Sequence, residues 1–203
     1  MEPLLMQLRD LFAGAAFSWA VCGGYGLELF AGRTIRLHGD IDLCLTEAAR
    51  PEVIGFLLAK GWRLLEYRGM GKVKPLLHPE DSEPGRNLMA VLGEDVPVQF
   101  FPCEEEGLLY HQFTPGLTKL NFIDLLFQPV QEKAFLLRDG LPVLAPEIAL
   151  LYKAARPEEE AARQDFDAVY PLLDEAQRQW LHTALARQFP GHAWIQPAAV
   201  QKE

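Results

Sequence analysis

Two aspartates one residue apart, Asp40 and Asp42, stand at the mouth of the apolar run Leu43-Cys44-Leu45. Upstream, the apolar run ending at Cys22 meets a glycine pair, Gly23-Gly24. In a strand, residues i and i+2 point to the same side, about 7 Å apart along the chain. Asp40 and Asp42 therefore project together, while Ile41, Leu43 and Leu45 face the other way. Convergent carboxylates hold one or two divalent cations. A glycine turn that opens a helix offers backbone N–H groups to phosphate. The chemistry these parts point to is Mg2+ together with a nucleoside triphosphate. A lone D-x-D is equally at home capping a turn, and a lone Gly-Gly is an ordinary tight bend. It is their order, with Arg36 and His38 between them, that favours a site.

Elements that could position these groups follow from periodicity. Leu4 to Phe12 has a helical apolar face, and Phe17 to Cys22 reads as a short buried strand. Tyr25 to Phe30 reads as a helix ended by Gly32, Asp42 to Leu45 as the second strand, and Pro51 to Lys60 as a helix followed by Gly61. Strands are expected at Trp62 to Tyr67 and Val73 to Leu77. Asn87 to Leu92 and Val96 to Phe101 are expected to form a hairpin across Gly93, Glu94 and Asp95. Between Cys103 and Gly140 the pattern is irregular: an acidic loop at Glu104 to Glu106, then a strand near Ala134 to Leu137 that pairs with Leu141 to Leu144 across Asp139-Gly140. After Pro146 the chain turns helical, over Glu147 to Ala155, Glu158 to Tyr170 and Glu175 to Phe189, and the tail from Gly191 is loosely held, with Trp194 and Ile195 able to dock. Trp62, Trp180 and the pair Phe100-Phe101 are expected in the core. The fold class is α/β (α+β), with a sheet domain over residues 1–145 and a helical domain over 146–203.

Bulk properties narrow the function classes. The 203 residues carry a net charge of −9, the opposite balance from proteins that neutralise a phosphate backbone. Bulk nucleic acid is thus a disfavoured partner, and a small cationic substrate is favoured by long-range attraction. No apolar run reaches membrane-spanning length and the N-terminus lacks a basic leader, so the expectation is a cytoplasmic protein with no membrane partner. Cys22, Cys44 and Cys103 have no metal-ligand spacing and read as reduced, structural thiols.

The run GGYGLELFAGRTIRLHGDIDL resembles the signature of the small antibiotic nucleotidyltransferases, in which a GGW-type turn precedes R-x-H-x-D-x-D. These belong to the DNA polymerase β-like nucleotidyltransferase superfamily, and this chain is most similar to its aminoglycoside 2″-adenylyltransferases and lincosamide nucleotidyltransferases. The positions that match are Gly23, Gly24, Gly26, Gly32, Arg33, Arg36, His38, Asp40 and Asp42. A second stretch, Pro146 to Ala154, then Arg156-Pro157 and Asp165-Phe166, resembles the family's later helices. The resemblance implies a mixed sheet with helices on one side. It also implies transfer of a nucleoside monophosphate from ATP or another NTP to a hydroxyl of a small, aminoglycoside- or lincosamide-like acceptor, with Mg2+ on Asp40 and Asp42. Gly23, Gly24, Arg36, His38 and Lys153 would contact the nucleotide.

One position departs from the pattern. The family places a third carboxylate in a V-D-x-x-P-like context on a neighbouring strand. The run Val98-Gln99-Phe100-Phe101-Pro102 has Gln99 there. An amide ligates weakly and accepts no proton, so Gln99 in a catalytic position implies a third acid from elsewhere (Asp95, Glu104 or Glu105), a slow enzyme, or a degenerate nucleotide-binding protein. A toxin-like nucleotidyltransferase acting on tRNA or protein is the other alternative.

Overall fold

A computed structural model describes residues 3–38, 40–93, 98–113, 122–128 and 132–195. Its strands are β1 (Trp19–Val21), β2 (Asp42–Thr46), β3 (Arg63–Gly69), β4 (Lys72–Leu76), β5 (Leu88–Val91), β6 (Val98–Pro102), β7 (Leu109–Phe113), β8 (Phe122–Gln128), β9 (Phe135–Arg138) and β10 (Leu141–Leu144). They form one mixed sheet in the order β6-β7-β4-β3-β5-β8-β2-β1-β10-β9. The helices are α1 (Pro3–Leu11), α2 (Gly23–Ala31), α3 (Arg50–Ala59), α4 (Pro146–Lys153), α5 (Glu160–Val169) and α6 (Glu175–Gln188).

Alternation along β2 and β8 builds two cores. Leu43 and Leu45 with Ile123, Leu125 and Phe127 turn to one face, where Leu5, Leu8 and Phe12 of the α1 region and Val53, Ile54 and Leu57 of α3 cover them. Cys44 turns to the other face with Cys22 and Leu144, under Leu27 of α2, Ala149, Leu150 and Leu151 of α4, Val169 of α5 and Leu181 and Leu185 of α6. Helices therefore flank both faces of the sheet rather than one. The physical reason is that both faces of a central strand such as β2 are apolar beyond Asp42, so both demand cover.

Several local readings agree with the structure. Gly32 ends α2 in the left-handed region at φ 67°, where a side chain would be strained. Asp139 and Gly140 both take positive φ in the tight turn between β9 and β10. Trp194 stacks on Phe166 with ring centroids 4.1 Å apart, so the tail is docked at least that far.

The expected hairpin between Asn87 and Phe101 does not form. β5 pairs with β3 and β8, whereas β6 pairs with β7 at the sheet's edge. Sequence proximity favoured the hairpin, but the fully buried Leu88-Met89-Ala90-Val91 suits a central strand with a neighbour on each side. The turn residues Glu94 and Asp95 lie outside the described residues. Two core expectations also fail. Trp180 is 42% exposed on α6 and Phe101 is 43% exposed on β6, while Trp62 is buried. In edge strands and terminal helices only one face meets a partner, so an aromatic there need not be inside. Trp62→Ala is expected to cost about 3–5 kcal/mol and Trp180→Ala no more than about 0.5 kcal/mol, measured by urea denaturation of the two variants.

Candidate active site

β2 and β8 run parallel and in register, with Asp42 opposite Asp124. Because paired residues in a sheet show the same face, this register puts both carboxylates side by side. Asp40, two residues before Asp42, completes a cluster of three acids with ligand atoms all within 4.8 Å of one another. Burial and mutual repulsion raise two of them. Asp42 is pushed up to about 6, chiefly by desolvation and then by Asp40, with Lys153 and Arg36 pulling it partly back. Asp124 is pushed up to about 7 by desolvation, with a smaller contribution from Asp42 and Asp40. Tyr67 of β3 opposes that rise by donating its hydroxyl hydrogen to Asp124 Oδ1 at 2.6 Å. Three acids this close cannot all ionise cheaply without a cation between them. The donor set, three hard oxygens, fits Mg2+ or Mn2+.

The glycine pair is explained by close approach. A Cβ on Gly23 would lie 1.9 Å from Asp42 Oδ2, and its φ of +59° is itself a glycine conformation. A Cβ on Gly24 would strike the His38 ring at 2.1 Å and the Arg36 guanidinium at 2.7 Å. The start of α2 is thus pressed against Asp42 on one side and against the loop carrying Arg36 and His38 on the other. No side chain caps this helix start. Cys22 N donates to Asp42 O at 2.9 Å, tying the helix entry to β2.

A cleft of about 600 Å³ opens beside these groups. Gly23, Asp42 and Asp124 line its floor. Leu126, Leu144, Ala149 and Tyr152 give an apolar wall, and Lys153, Arg156 and Glu159 a charged one. Asn87 lines it too, and holds β8 in place: its Oδ1 accepts from Phe127 N at 3.2 Å while its backbone oxygen accepts from Tyr67 N at 3.0 Å.

Of the residues expected to contact nucleotide, Gly23 and Lys153 reach this cleft. Gly24, Arg36 and His38 are not among its lining residues: Gly24 lies in the first turn of α2, and Arg36 and His38 lie on the loop packed against it. His38 is packed on the Tyr25 ring at 4.4 Å and bonded to Glu28 Oε1 at 2.9 Å. The same Glu28 oxygen accepts from Ile35 N at 2.7 Å and Arg36 N at 3.1 Å, pinning the loop to α2. Arg36 gives Nε and Nη2 to the two oxygens of Asp165, each at 3.0 Å. Lys153 Nζ lies 2.8 Å from Asp165 Oδ2.

Gln99 is corrected outright. It sits exposed on β6 opposite Gln112, with β7, β4, β3 and β5 between its strand and β8. It is not part of the Asp40–Asp42–Asp124 cluster. Glu104 and Glu105 are exposed at the far end of β6 and β7, Glu105 paired with Lys72. The carboxylate that joins Asp40 and Asp42 is Asp124, which the motif did not single out. Its signal was present: one acid inside the otherwise apolar run Phe122-Ile123-Asp124-Leu125-Leu126-Phe127, where an unpaired charge is costly and therefore demands a reason.

The mixed sheet with its flanking helices is a nucleotidyltransferase-type fold. Residues 4–74 match the family model for aminoglycoside-2″-adenylyltransferase. Among solved structures, the antibiotic-resistance factor ANT(2″)-Ia is similar at 13% identity and a TM-score of 0.54, with 92% of this chain and 91% of that one covered. The lincomycin-bound lincosamide antibiotic adenylyltransferase LnuA aligns at 16% identity and a TM-score of 0.49 over 85% and 98% of the two chains. The Megavirus polyadenylate synthase aligns at 13% and 0.45 over 93% and 38%. No curated protein sequence matches the chain. The resemblance read from Gly23 to Asp42 is thereby borne out: the fold is the nucleotidyltransferase fold, and the family-model match lies on its aminoglycoside adenylyltransferase side. Among the described residues no helix is long and apolar enough to cross a membrane.

Two outcomes follow from this geometry. Folded-state values near 6 for Asp42 and 7 for Asp124 lie above the ordinary 3.8, so both groups favour the cation-free fold below about pH 4 and lose that contribution as pH rises through 6–7. A ligating carboxylate must be ionised, so the rise in Tm on adding Mn2+ is expected to be larger at about pH 8 than at about pH 5.5. Differential scanning fluorimetry of wild type beside Asp124→Asn measures it, the variant showing the smaller pH dependence. Second, Gly23→Ala drives a methyl into Asp42 and is expected to weaken Mn2+ binding by about tenfold or more, read by calorimetric titration.

Proposed function

We propose that the chain is a divalent-cation-dependent nucleotidyltransferase that moves a nucleoside monophosphate from an NTP, ATP in the first instance, to a hydroxyl of a small cationic acceptor of the aminoglycoside type. The observation that carries this reading is the convergence of Asp40, Asp42 and Asp124, the last two lining a cleft that Lys153 lines as well. Support for the acceptor class comes from the family-model match over residues 4–74 and from the chain's net charge of −9.

Asp40, Asp42 and Asp124 would hold the cation, Mg2+ or Mn2+, whose chemistry there is to neutralise the α-phosphate and the departing pyrophosphate. Lys153 would donate to phosphate oxygens from the opposite wall, and the N–H groups at the start of α2 lie on the Gly23 side of the floor. Tyr67 donates to Asp124 Oδ1, which leaves the carboxylate's other oxygen to serve both the cation and the acceptor. The acceptor O–H gives its proton to Asp124, its oxygen forms the new bond to the α-phosphorus, and the bond to pyrophosphate breaks. In this reading residues 1–145 act as the sheet domain that supplies the carboxylates, and residues 146–203 as the helical domain that supplies Lys153. The degenerate-protein reading rested on Gln99 and loses its basis with Asp124 in the site.

The test incubates the protein with labelled NTPs, Mg2+ or Mn2+, and a panel of aminoglycosides, lincosamides and total RNA. Label is expected on a small antibiotic. Asp124→Asn is expected to lower kcat by about 10²–10⁴, Asp42→Ala to abolish transfer, and Gln99→Asp to change nothing. Transfer that survives Asp42→Ala, or label only on RNA, refutes the proposal.

A further inference from the structure

Asp165 of α5 is fully buried, and its one carboxylate takes two cations. The Arg36 guanidinium binds it through two bonds of 3.0 Å, and the Lys153 ammonium lies 2.8 Å from Oδ2. Neither cation is buried to the same degree: the Arg36 side chain is 18% exposed and that of Lys153 19%. Both are near enough to Asp42 to stabilise its charged form. Arg36 has another hold, donating Nη1 to Leu37 O at 3.2 Å. For the Lys153 ammonium, Asp165 is the only carboxylate partner among the described residues. Released from Asp165, an ammonium on a flexible stem would find Asp42 and Asp124, with Glu159, as carboxylates lining the same cleft, and its charge already bears on Asp42. An ammonium brought to about 4 Å from a carboxylate at a partly buried site is attracted strongly enough to compete with a cation from solution.

We infer that Asp165 is a positioning residue that holds Lys153 off the three carboxylates, keeping that cluster anionic and open to its divalent cation. The inference deepens the proposed function and rests on it for the purpose of the cluster. The distances that carry it are independent of any acceptor. Asp165 does two things at once. Through Arg36 it docks the loop leading to Asp40 against α5, and through Lys153 it parks one positive charge beside the phosphate path without letting it collapse onto the acids. A carboxylate that merely filled a structural slot would need no cleft-lining partner. The deep burial of Asp165 matters because it removes water as a competing partner for the ammonium. The bidentate Arg36 contact fixes the carboxylate's orientation, and hence where the ammonium sits.

The experiment is Mn2+ binding, by calorimetry or by the electron paramagnetic resonance of free Mn2+, to wild type, Asp165→Asn, Lys153→Met and the double variant. Asp165→Asn is expected to weaken Mn2+ binding by about tenfold or more, since the released ammonium occupies the cluster. The double variant, with no ammonium to release, is expected to recover to within about threefold of wild type. A structural role alone predicts no such rescue. Unchanged Mn2+ affinity in Asp165→Asn, or a double variant as weak as the single one, overturns the inference. Should Asp165→Asn fail to fold, Lys153→Met decides. An ammonium already held at Asp165 predicts a change below about threefold, and tightening by more than about tenfold means it sits on the cluster in the wild type and sinks the inference. Absence of transfer to every acceptor defeats the proposed function while leaving this Mn2+ comparison intact. An active enzyme whose Asp165→Asn variant binds Mn2+ normally defeats only the inference.

Discussion

Parallel pairing of β2 with β8 in a register that sets Asp42 opposite Asp124 is the constraint on which the rest of the molecule hangs. Burial of two carboxylates on neighbouring strands, and then their repulsion by each other and by Asp40, raises Asp42 and Asp124 well above an ordinary aspartate. A sheet keeps such a pair only if the remaining contacts hold the two strands together against it. Here Leu43 and Leu45 with Ile123, Leu125 and Phe127 do so on the opposite face, all within one buried cluster. Shifting β8 by one residue would exchange Asp124 for Ile123 or Leu125 and lose both the site and the core. Site and stability are therefore tied to the same register.

Around that pair the polar groups form a frame rather than a set of separate contacts. Asn87 bonds both β8 and β3, and Tyr67 of β3 reaches Asp124. The loop before Asn87 is anchored by buried Arg50, which donates to Ser82 Oγ at 3.0 Å and to Arg86 O at 2.6 Å, and by buried Glu66, which accepts from Ser82 Oγ and Glu83 N. Buried charges of this kind persist where every polar atom has its partner. On the other flank, Glu28 and Asp165 pin the loop of Arg36 and His38 from α2 and α5. The side chains that resemble nucleotide contacts in the motif are largely occupied in shaping the loop that delivers Asp40. That also explains why Gly24 tolerates nothing larger.

What could be read along the chain was what depends on neighbours in sequence. The helix–glycine–strand order, the α2 stop at Gly32 and the Asp139-Gly140 turn are local, and each is set by backbone conformation over a few residues. The Asp40/Asp42 pair was legible for the same reason, because a period of two is enough to align two side chains. Asp124, 82 positions past Asp42, became a partner only through strand pairing, and no spacing rule connects them. Gln99 was misplaced because a V-x-F-F-P context was matched to a motif without its neighbours in the sheet, and β6 turned out to be an edge strand.

By itself, then, the sequence determined the alternation that makes two buried faces, the glycines where backbone must pass close or bend left-handed, and the acidic pair that calls for a cation. Tertiary structure alone decided which third acid joins that pair, which of the motif's cations reach the cleft, and that Arg36 and Lys153 share Asp165. The reason is physical. Backbone conformation is governed by contacts a few residues apart, whereas the position of a charge is governed by everything within several ångströms of it, most of which is distant in the chain.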